Sequence, residues 1–347
     1  MTKTLLRWAI QPVLMICLCS SASAFEGTLV VANRAGGSIS LIDLETGLEV
    51  ARVPVGPIIP HEVAVSVDGR FALTGEYGPN DSPGRHVILI DIPNARIVGR
   101  IDLGENSRPH TAVFLPDGQR AVATMKDSDQ IALIDLGTMA VVRTYPTGGR
   151  EGHMVRLSPD GSRAYVTSRG AEGTLSVIFL DEDRPPVVIP TGPGAEGISV
   201  SPDGSEVWVA NRQEEAISVI DTELLAVVAR IDSRPFAGRV EIGPNGRAVA
   251  PNGGGGGQPV RQYLRLFDVE SRTMITEVPL RGDGTPGTGN FGVLIHDGFA
   301  FVSEPGQGTI RLFDLAALGE SEPQVLASAH ESPDGLAWSP VRVEVMR

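Results

Sequence analysis

An apolar strand closed by an Asp-Gly turn recurs along most of the chain, and this recurrence limits the possible folds more than any other feature. It first reads Pro60-His61-Glu62-Val63-Ala64-Val65-Ser66-Val67-Asp68-Gly69 and returns as Pro109 to Gly118, Gly152 to Gly161 and Ala195 to Gly204. Weaker copies lie around Pro244-Asn245-Gly246, His296-Asp297-Gly298 and Pro333-Asp334-Gly335-Leu336-Ala337-Trp338. Period-two apolar alternation running into Asp-Gly is the signature of a β-hairpin. Counted from the residue seven before the turn Asp or Asn, successive copies are 49, 43, 43, 42, 52 and 44 residues apart. A period near 40–45 residues, built of short strands, is the period of four-stranded blades arranged radially.

Each unit continues with a second strand, a third ending in Ile-Asp or a similar pair, and a fourth. The two long spacings absorb Gly78-Pro79-Asn80-Asp81-Ser82-Pro83-Gly84 and Gly253 to Gly257, loops by composition. The seventh marker has no room for three more strands, whereas three strands spanning Thr28 to Val53 precede the first marker. The sequence therefore predicts an all-β, seven-bladed β-propeller of four-stranded antiparallel blades. The N-terminal strands would pair with the C-terminal strand Leu336 to Val345 and close the ring, leaving no free edge there. Val63 and Val65, Val155 and Leu157, Ile198 and Val200 would form core faces, and Tyr165 and Trp208 would pack between blades.

Residues 1–24 read as a signal peptide: Lys3 and Arg7, an apolar run from Trp8 to Leu18, and a small-residue cleavage site at Ala22-Ser23-Ala24. Residues 25–347 form the single propeller domain, expected to be periplasmic or secreted, with no membrane span after cleavage. Cys17 and Cys19, the only cysteines, fall in the leader, so any metal must be held by His, carboxylate or amide groups. Loss of Lys3 and Arg7 with the leader takes the formal charge from −13 to −15, which opposes non-specific attraction to nucleic acid. No nucleic-acid partner is expected.

Ala164-Tyr165-Val166-Thr167-Ser168, Val207-Trp208-Val209-Ala210-Asn211 and Val30-Val31-Ala32-Asn33 resemble the Tyr-Val-Thr-Asn element of YVTN β-propeller proteins. Ser218-Val219-Ile220-Asp221-Thr222 and Ser40-Leu41-Ile42-Asp43 resemble the element that follows it. The resemblance covers essentially all of the chain after the leader and implies the propeller fold. It leaves activity open, because the family and its relatives include surface and periplasmic binding proteins as well as enzymes. Related propellers include the copper-binding domain of nitrous oxide reductase, the haem-binding domain of one nitrite reductase class and streptogramin lyases.

A repeat fold sets equivalent positions at equivalent heights around one axis. The position seven before the turn is occupied by His61, His110, His153, Glu196, Gly238, Asn290 and Asp334. Three adjacent blades would thus bring histidines to one rim and a fourth would bring a carboxylate. Such a set suits a divalent metal, Cu, Zn, Mn or Fe, with Glu196 as a further ligand or as general base. Glu62 and Glu151 are candidates to orient an imidazole. His61 shares strand parity with Val63 and Val65, so in a regular strand its side chain would turn between blades. The ends of the second strands add Arg34, Lys126, Arg169 and Arg212, a basic collar favouring a small anionic molecule or peptide, with Asn290 and Asp334 at the same mouth. The leading expectation is a metal site that also binds an anion, with redox, lyase and hydrolytic chemistry all open. A non-catalytic binding or scaffold propeller and a metal carrier are the alternatives. His296 reads as a turn residue on the opposite side, His86 has no evident partner in the sequence, and His330 is within reach of the mouth.

Overall fold

The computed structural model describes residues 25–235, 237–252, 261–280, 291–326 and 332–344. The expected leader, Asn290, His330 and the glycine-rich segments 253–257 and 282–289 lie outside them. Seven four-stranded antiparallel sheets make seven blades. Blade 1 is built from both ends of the chain: Pro333–Ser339 pairs with Thr28–Asn33, followed outward by Ser38–Asp43 and Leu48–Pro54. Leu29 faces Trp338 and Val30 faces Ala337 across the closure. Blades 2 to 7 each take four consecutive strands from the inside outward. Their inner strands are Val63–Val65, Ala112–Phe114, Gly152–Leu157, Ala195–Val200, Glu241–Ile242 and Val293–His296.

The repeated Ser-x-Asp-Gly has a mechanical cause. Ser66, Ser158 and Ser201 donate their hydroxyls to Asp68, Asp160 and Asp203 at 2.5–2.6 Å, and the same carboxylates accept the backbone N–H of Arg70, Ser162 and Ser205. Those hydrogen bonds hold the three carboxyls below their usual pKa. The glycine that follows sits at φ near +75° in each turn, a conformation glycine adopts without strain.

The core consists of seven layers between blades. Val30, Ile39 and Leu41 of blade 1, for example, meet Ala72, Ile88 and Ile90 of blade 2. The middle strands are covered on both faces and read as nearly continuous apolar runs. The outermost strand Arg96–Asp102, covered on one face, alternates exposed and covered residues. Tyr165 and Trp208 are fully buried between blades, as their pattern predicts. No helix among the described residues is long and apolar enough to cross a membrane.

Candidate functional site

The inner strands are irregular at the position of interest, and that irregularity aims the side chains. In blades 2 and 3 the regular strand begins only after His61 and His110, at Val63 and Ala112. In blades 4 and 5 the register shifts between Gly152 and Val155 and between Ala195 and Gly197, so His153 and Glu196 sit on bulges. Blade 1 has a similar shift beside Asp334. A bulge re-aims a side chain, and parity with Val63 therefore does not turn His61 between blades: these residues face the axial mouth.

Three buried threonines fix this backbone. Thr74 Oγ1 donates to the Glu62 carbonyl at 2.7 Å. Thr124 Oγ1 accepts the His110 and Thr111 N–H groups at 3.3 and 3.1 Å and donates to the His153 carbonyl of the next blade at 3.2 Å. Thr167 Oγ1 accepts the Met154 N–H at 3.2 Å and donates to the Glu196 carbonyl at 2.9 Å. Thr74 acts within its own blade, whereas Thr124 and Thr167 tie blades 3 and 4 each to the next. Glycines allow the inner strands to meet: a Cβ on Gly197 would lie 2.6 Å from Arg239 Cα, and one on Gly335 would lie 2.6 Å from Glu62 Cα.

The mouth is a cavity of about 470 Å³ lined by His61, His110, His153, Glu196 and Asp334 together with Arg34, Arg169, Arg212 and Arg239. On one side the imidazoles form a ladder. The His61 and His110 ring centroids are 4.8 Å apart and those of His110 and His153 3.9 Å apart, with planes tilted by 33° and 35°. Tyr77 meets His61 and His110 edge-on at 4.6 and 5.3 Å, and the Arg108 guanidinium lies over its ring at 4.8 Å. Burial, then His153, His61 and the nearby arginines, hold His110 well below the usual histidine pKa. Burial, then Arg169, Arg239 and His61, do the same for His153. Both are neutral near pH 7. No group of three or more His, Cys, Asp and Glu among the described residues is arranged to hold a metal ion.

The other side is charged. Glu196, 2% exposed, receives Arg212 at 3.4 Å, Arg239 at 3.5 Å and Arg169 at 3.9 Å. Asp334, 1% exposed, receives His61 Nδ1 at 3.1 Å, Arg34 at 3.5 Å and Arg239 at 3.8 Å. Burial raises the Asp334 carboxyl, but its hydrogen bond and charge contact with His61, then Arg239 and Arg34, outweigh it and hold the group below the usual carboxylate value. Arg239 forms the floor, donating to Glu62 at 2.6 Å. Burial works against its charge, and Glu62, Asp334 and Glu196 more than restore it, so its pKa is raised.

Arg239 was not foreseen from the sequence; the available signal was a basic residue immediately after Gly238, the glycine of the column. Lys126 departs from the expectation. It opens the 3-10 turn Lys126–Ser128, its ammonium lies 3.9 Å from Asp127 and from Glu151, and it does not line the cavity. Glu62 and Glu151 do not orient an imidazole: Glu62 takes Arg239, and Asp334 serves His61. His86 has a partner, Glu76, at 2.6 Å, which also pairs with Arg100. His296 lies on the opposite side, stacked on Trp338 at 4.0 Å.

Fold and mouth together define a seven-bladed β-propeller with a polar, histidine-lined axial cup. No protein-family model matches the chain. It is similar to protein NirF of Stutzerimonas stutzeri, with 23% identity over 240 residues, 64% of this chain and 60% of that protein, so the match spans less than two thirds of the relative's length. Among solved structures it is similar to Kuenenia stuttgartiensis hydrazine synthase, with a TM-score of 0.65 and 18% identity over 76% of this chain and 80% of that one. A functionally unknown protein from Desulfotomaculum acetoxidans DSM 771 gives a TM-score of 0.70 and 16% identity over 90% and 99%. These structural likenesses extend to the fold alone.

Proposed function

We propose that the axial mouth binds a small anionic molecule, held by Arg34, Arg169 and Arg212 with the neutral imidazoles of His110 and His153 as hydrogen-bonding partners. One observation carries this reading: in a chain of formal charge −13, four guanidiniums (Arg34, Arg169, Arg212, Arg239) and two carboxylates (Glu196, Asp334) line one cavity, and even with Glu62 counted against Arg239 from below a local positive excess remains. Three of the arginines are partly open to the mouth, at 36%, 34% and 21% side-chain exposure. Binding alone satisfies the proposal, and turnover is not required. Isothermal titration with small carboxylates and phosphate tests it. Hydrogen bonds to charged groups contribute about 1.5–3 kcal/mol, so Arg169→Ala and Arg212→Ala should each weaken the best ligand by roughly ten- to 150-fold. Unchanged affinity in both variants, or no anion bound at all, would overturn it.

A second reading is that the same mouth takes a divalent metal, Cu, Zn, Mn or Fe, through His61, His110 and His153 after rotation of the rings, with Glu196 as ligand or general base. His153 Nδ1, buried with no hydrogen-bond partner among the described residues, favours it, as does neutrality of two imidazoles, which ligation requires. Elemental analysis of protein purified without a metal-affinity tag tests it: protein free of metal that also takes up none of the four ends the idea. A carrier would bind reversibly without turnover. The YVTN-like repeats and export complete the proposal; an exported chain whose N-terminus is not Phe25 would refute the leader.

A further inference from the structure

Below the mouth, on the other side of the Glu62–Arg239 pair, the channel opens into a second cavity of about 410 Å³. Its wall includes Phe114, Leu294, Ile295 and Trp338, with His296 stacked on Trp338; Glu62, already paired with Arg239, borders it, and two further charged residues, Arg156 and Glu241, line the same space. Neither charge is matched. The Arg156 guanidinium makes one hydrogen bond among the described residues, to the carbonyl of its own neighbour Val155 at 3.2 Å, and the Glu241 carboxylate, on a strand whose backbone pairs with Val249, makes no hydrogen bond or ion pair among them. Arg156 and Glu241 face one cavity without closing a salt bridge.

Opposite charges left apart across one partly apolar cavity select for a ligand that carries both. A simple anion would answer Arg156 and meet repulsion from Glu241, and a simple cation would meet the converse. Burial pushes the Glu241 carboxyl up to about 7, with Arg156 offsetting part of that and Glu62 adding to it, as expected of a carboxylate that would gain from a cation. We propose that the lower cavity is a second binding site, separate from the mouth, for a free apolar α-amino acid. Its ammonium pairs with Glu241, its carboxylate with Arg156, and its side chain packs on Phe114, Leu294, Ile295 and Trp338.

Trp338 supplies the readout, because the other tryptophan of the propeller, Trp208, is fully buried away from the channel. L-leucine should change Trp338 fluorescence saturably. N-acetyl-leucine lacks the ammonium and leucinamide the carboxylate, so each should bind at least tenfold more weakly. Arg156→Gln and Glu241→Gln should each cost leucine at least tenfold. Glu241→Asp, which keeps the charge, should retain discrimination against N-acetyl-leucine and so separate a lost contact from lost structure. Arg169→Ala, in the mouth, should leave leucine affinity within twofold, which keeps this test independent of anion binding above. No saturable response to millimolar leucine, equal binding of the blocked derivatives, or indifference to both Gln variants would overturn the proposal.

Discussion

Replacing Arg239 by methionine tests whether the floor of the mouth is an electrostatic unit. Arg239 is 5% exposed and reaches Glu62 at 2.6 Å, Glu196 at 3.5 Å and Asp334 at 3.8 Å. Removing one partner of a buried pair costs about 3–5 kcal/mol. The lower end applies, because Glu196 keeps Arg169 and Arg212 and Asp334 keeps Arg34 and His61, so the damage concentrates on Glu62. With an unfolding entropy of about 2.1 cal/mol/K per residue over the roughly 320 residues from Phe25 onward, 3 kcal/mol corresponds to a fall in Tm of roughly 4–5 °C. The sign with pH follows from Glu62. Burial, against the pull of Arg239, raises its folded pKa above 4.5, so its contribution is present below 4.5 and is lost as pH rises through the folded value. Without Arg239 the folded value rises further, and the deficit should be full at pH 8 and smaller near pH 5. Asp334, held below 3.8, contributes stability above that value and loses it in acid, so the comparison stays above about pH 4.5. Calorimetry of wild type, Arg239→Met and Arg239→Met/Glu62→Gln at both pH values decides. Equal deficits at pH 5 and pH 8, or a double variant no more stable than the single one, would refute the reasoning.

Thr124→Val leaves the N–H groups of His110 and Thr111 and the carbonyl of His153 without their shared hydroxyl, and should cost about 1–3 kcal/mol while weakening anion binding; a urea titration and the binding assay read both. Gly335→Ala sets a Cβ 2.6 Å from Glu62 Cα and 2.7 Å from the His61 carbonyl oxygen, so blades 1 and 2 must separate at the mouth. A cost of about 1–3 kcal/mol is expected, and a Tm equal to wild type would show that the inner strands do not meet there. Glu241, raised from 4.5 to about 7 mainly by burial, contributes stability below pH 4.5 that is lost as pH rises to about 7, on the order of 2–3 kcal/mol. Glu241→Gln should flatten that stretch of the stability curve, and an unchanged curve would count against it.

The architecture is legible in the sequence because propeller blades repeat two strong local signals, alternation and a turn that demands glycine at positive φ. Gly69, Gly161 and Gly204 are needed for the same reason in each copy. The missing three strands at one end and the surplus three at the other make the closure countable, although the closing strand, expected at Leu336 to Val345, is Pro333–Ser339. The column of His61, His110, His153, Glu196 and Asp334 was legible as a column, because repeat geometry alone brings equivalent positions to one rim. Its direction was not. Alternation predicts where a side chain points only while the pleat is regular, and here the pleat breaks at the residues of interest. Lys126 was misplaced for a related reason, since a tight turn follows its strand and carries the ammonium outward to Glu151. Thr74, Thr124 and Thr167 carry no mark in the sequence separating them from ordinary strand threonines; Thr124 and Thr167 have their role because the neighbouring blade presents a carbonyl, and Thr74 because Glu62 of its own blade does.

The asymmetry of the mouth follows from this irregular ring. Blades 2, 3 and 4 contribute imidazoles, two of which burial keeps neutral, while blades 5 and 1 contribute Glu196 and Asp334, and Arg239 of blade 6 lies between these carboxylates and reaches both. A ring of identical residues would place like charges or like donors around the axis and would suit a single symmetric ion. Here one half can accept or donate hydrogen bonds without charge and the other carries fixed ions, so a bound molecule experiences a gradient across a cup of about 470 Å³. Such a gradient orients a ligand whose own ends differ. The Glu62–Arg239 pair beneath it joins opposite charges at the floor, and the mouth and the lower cavity, on the two sides of that pair, have different linings and so present different chemistry.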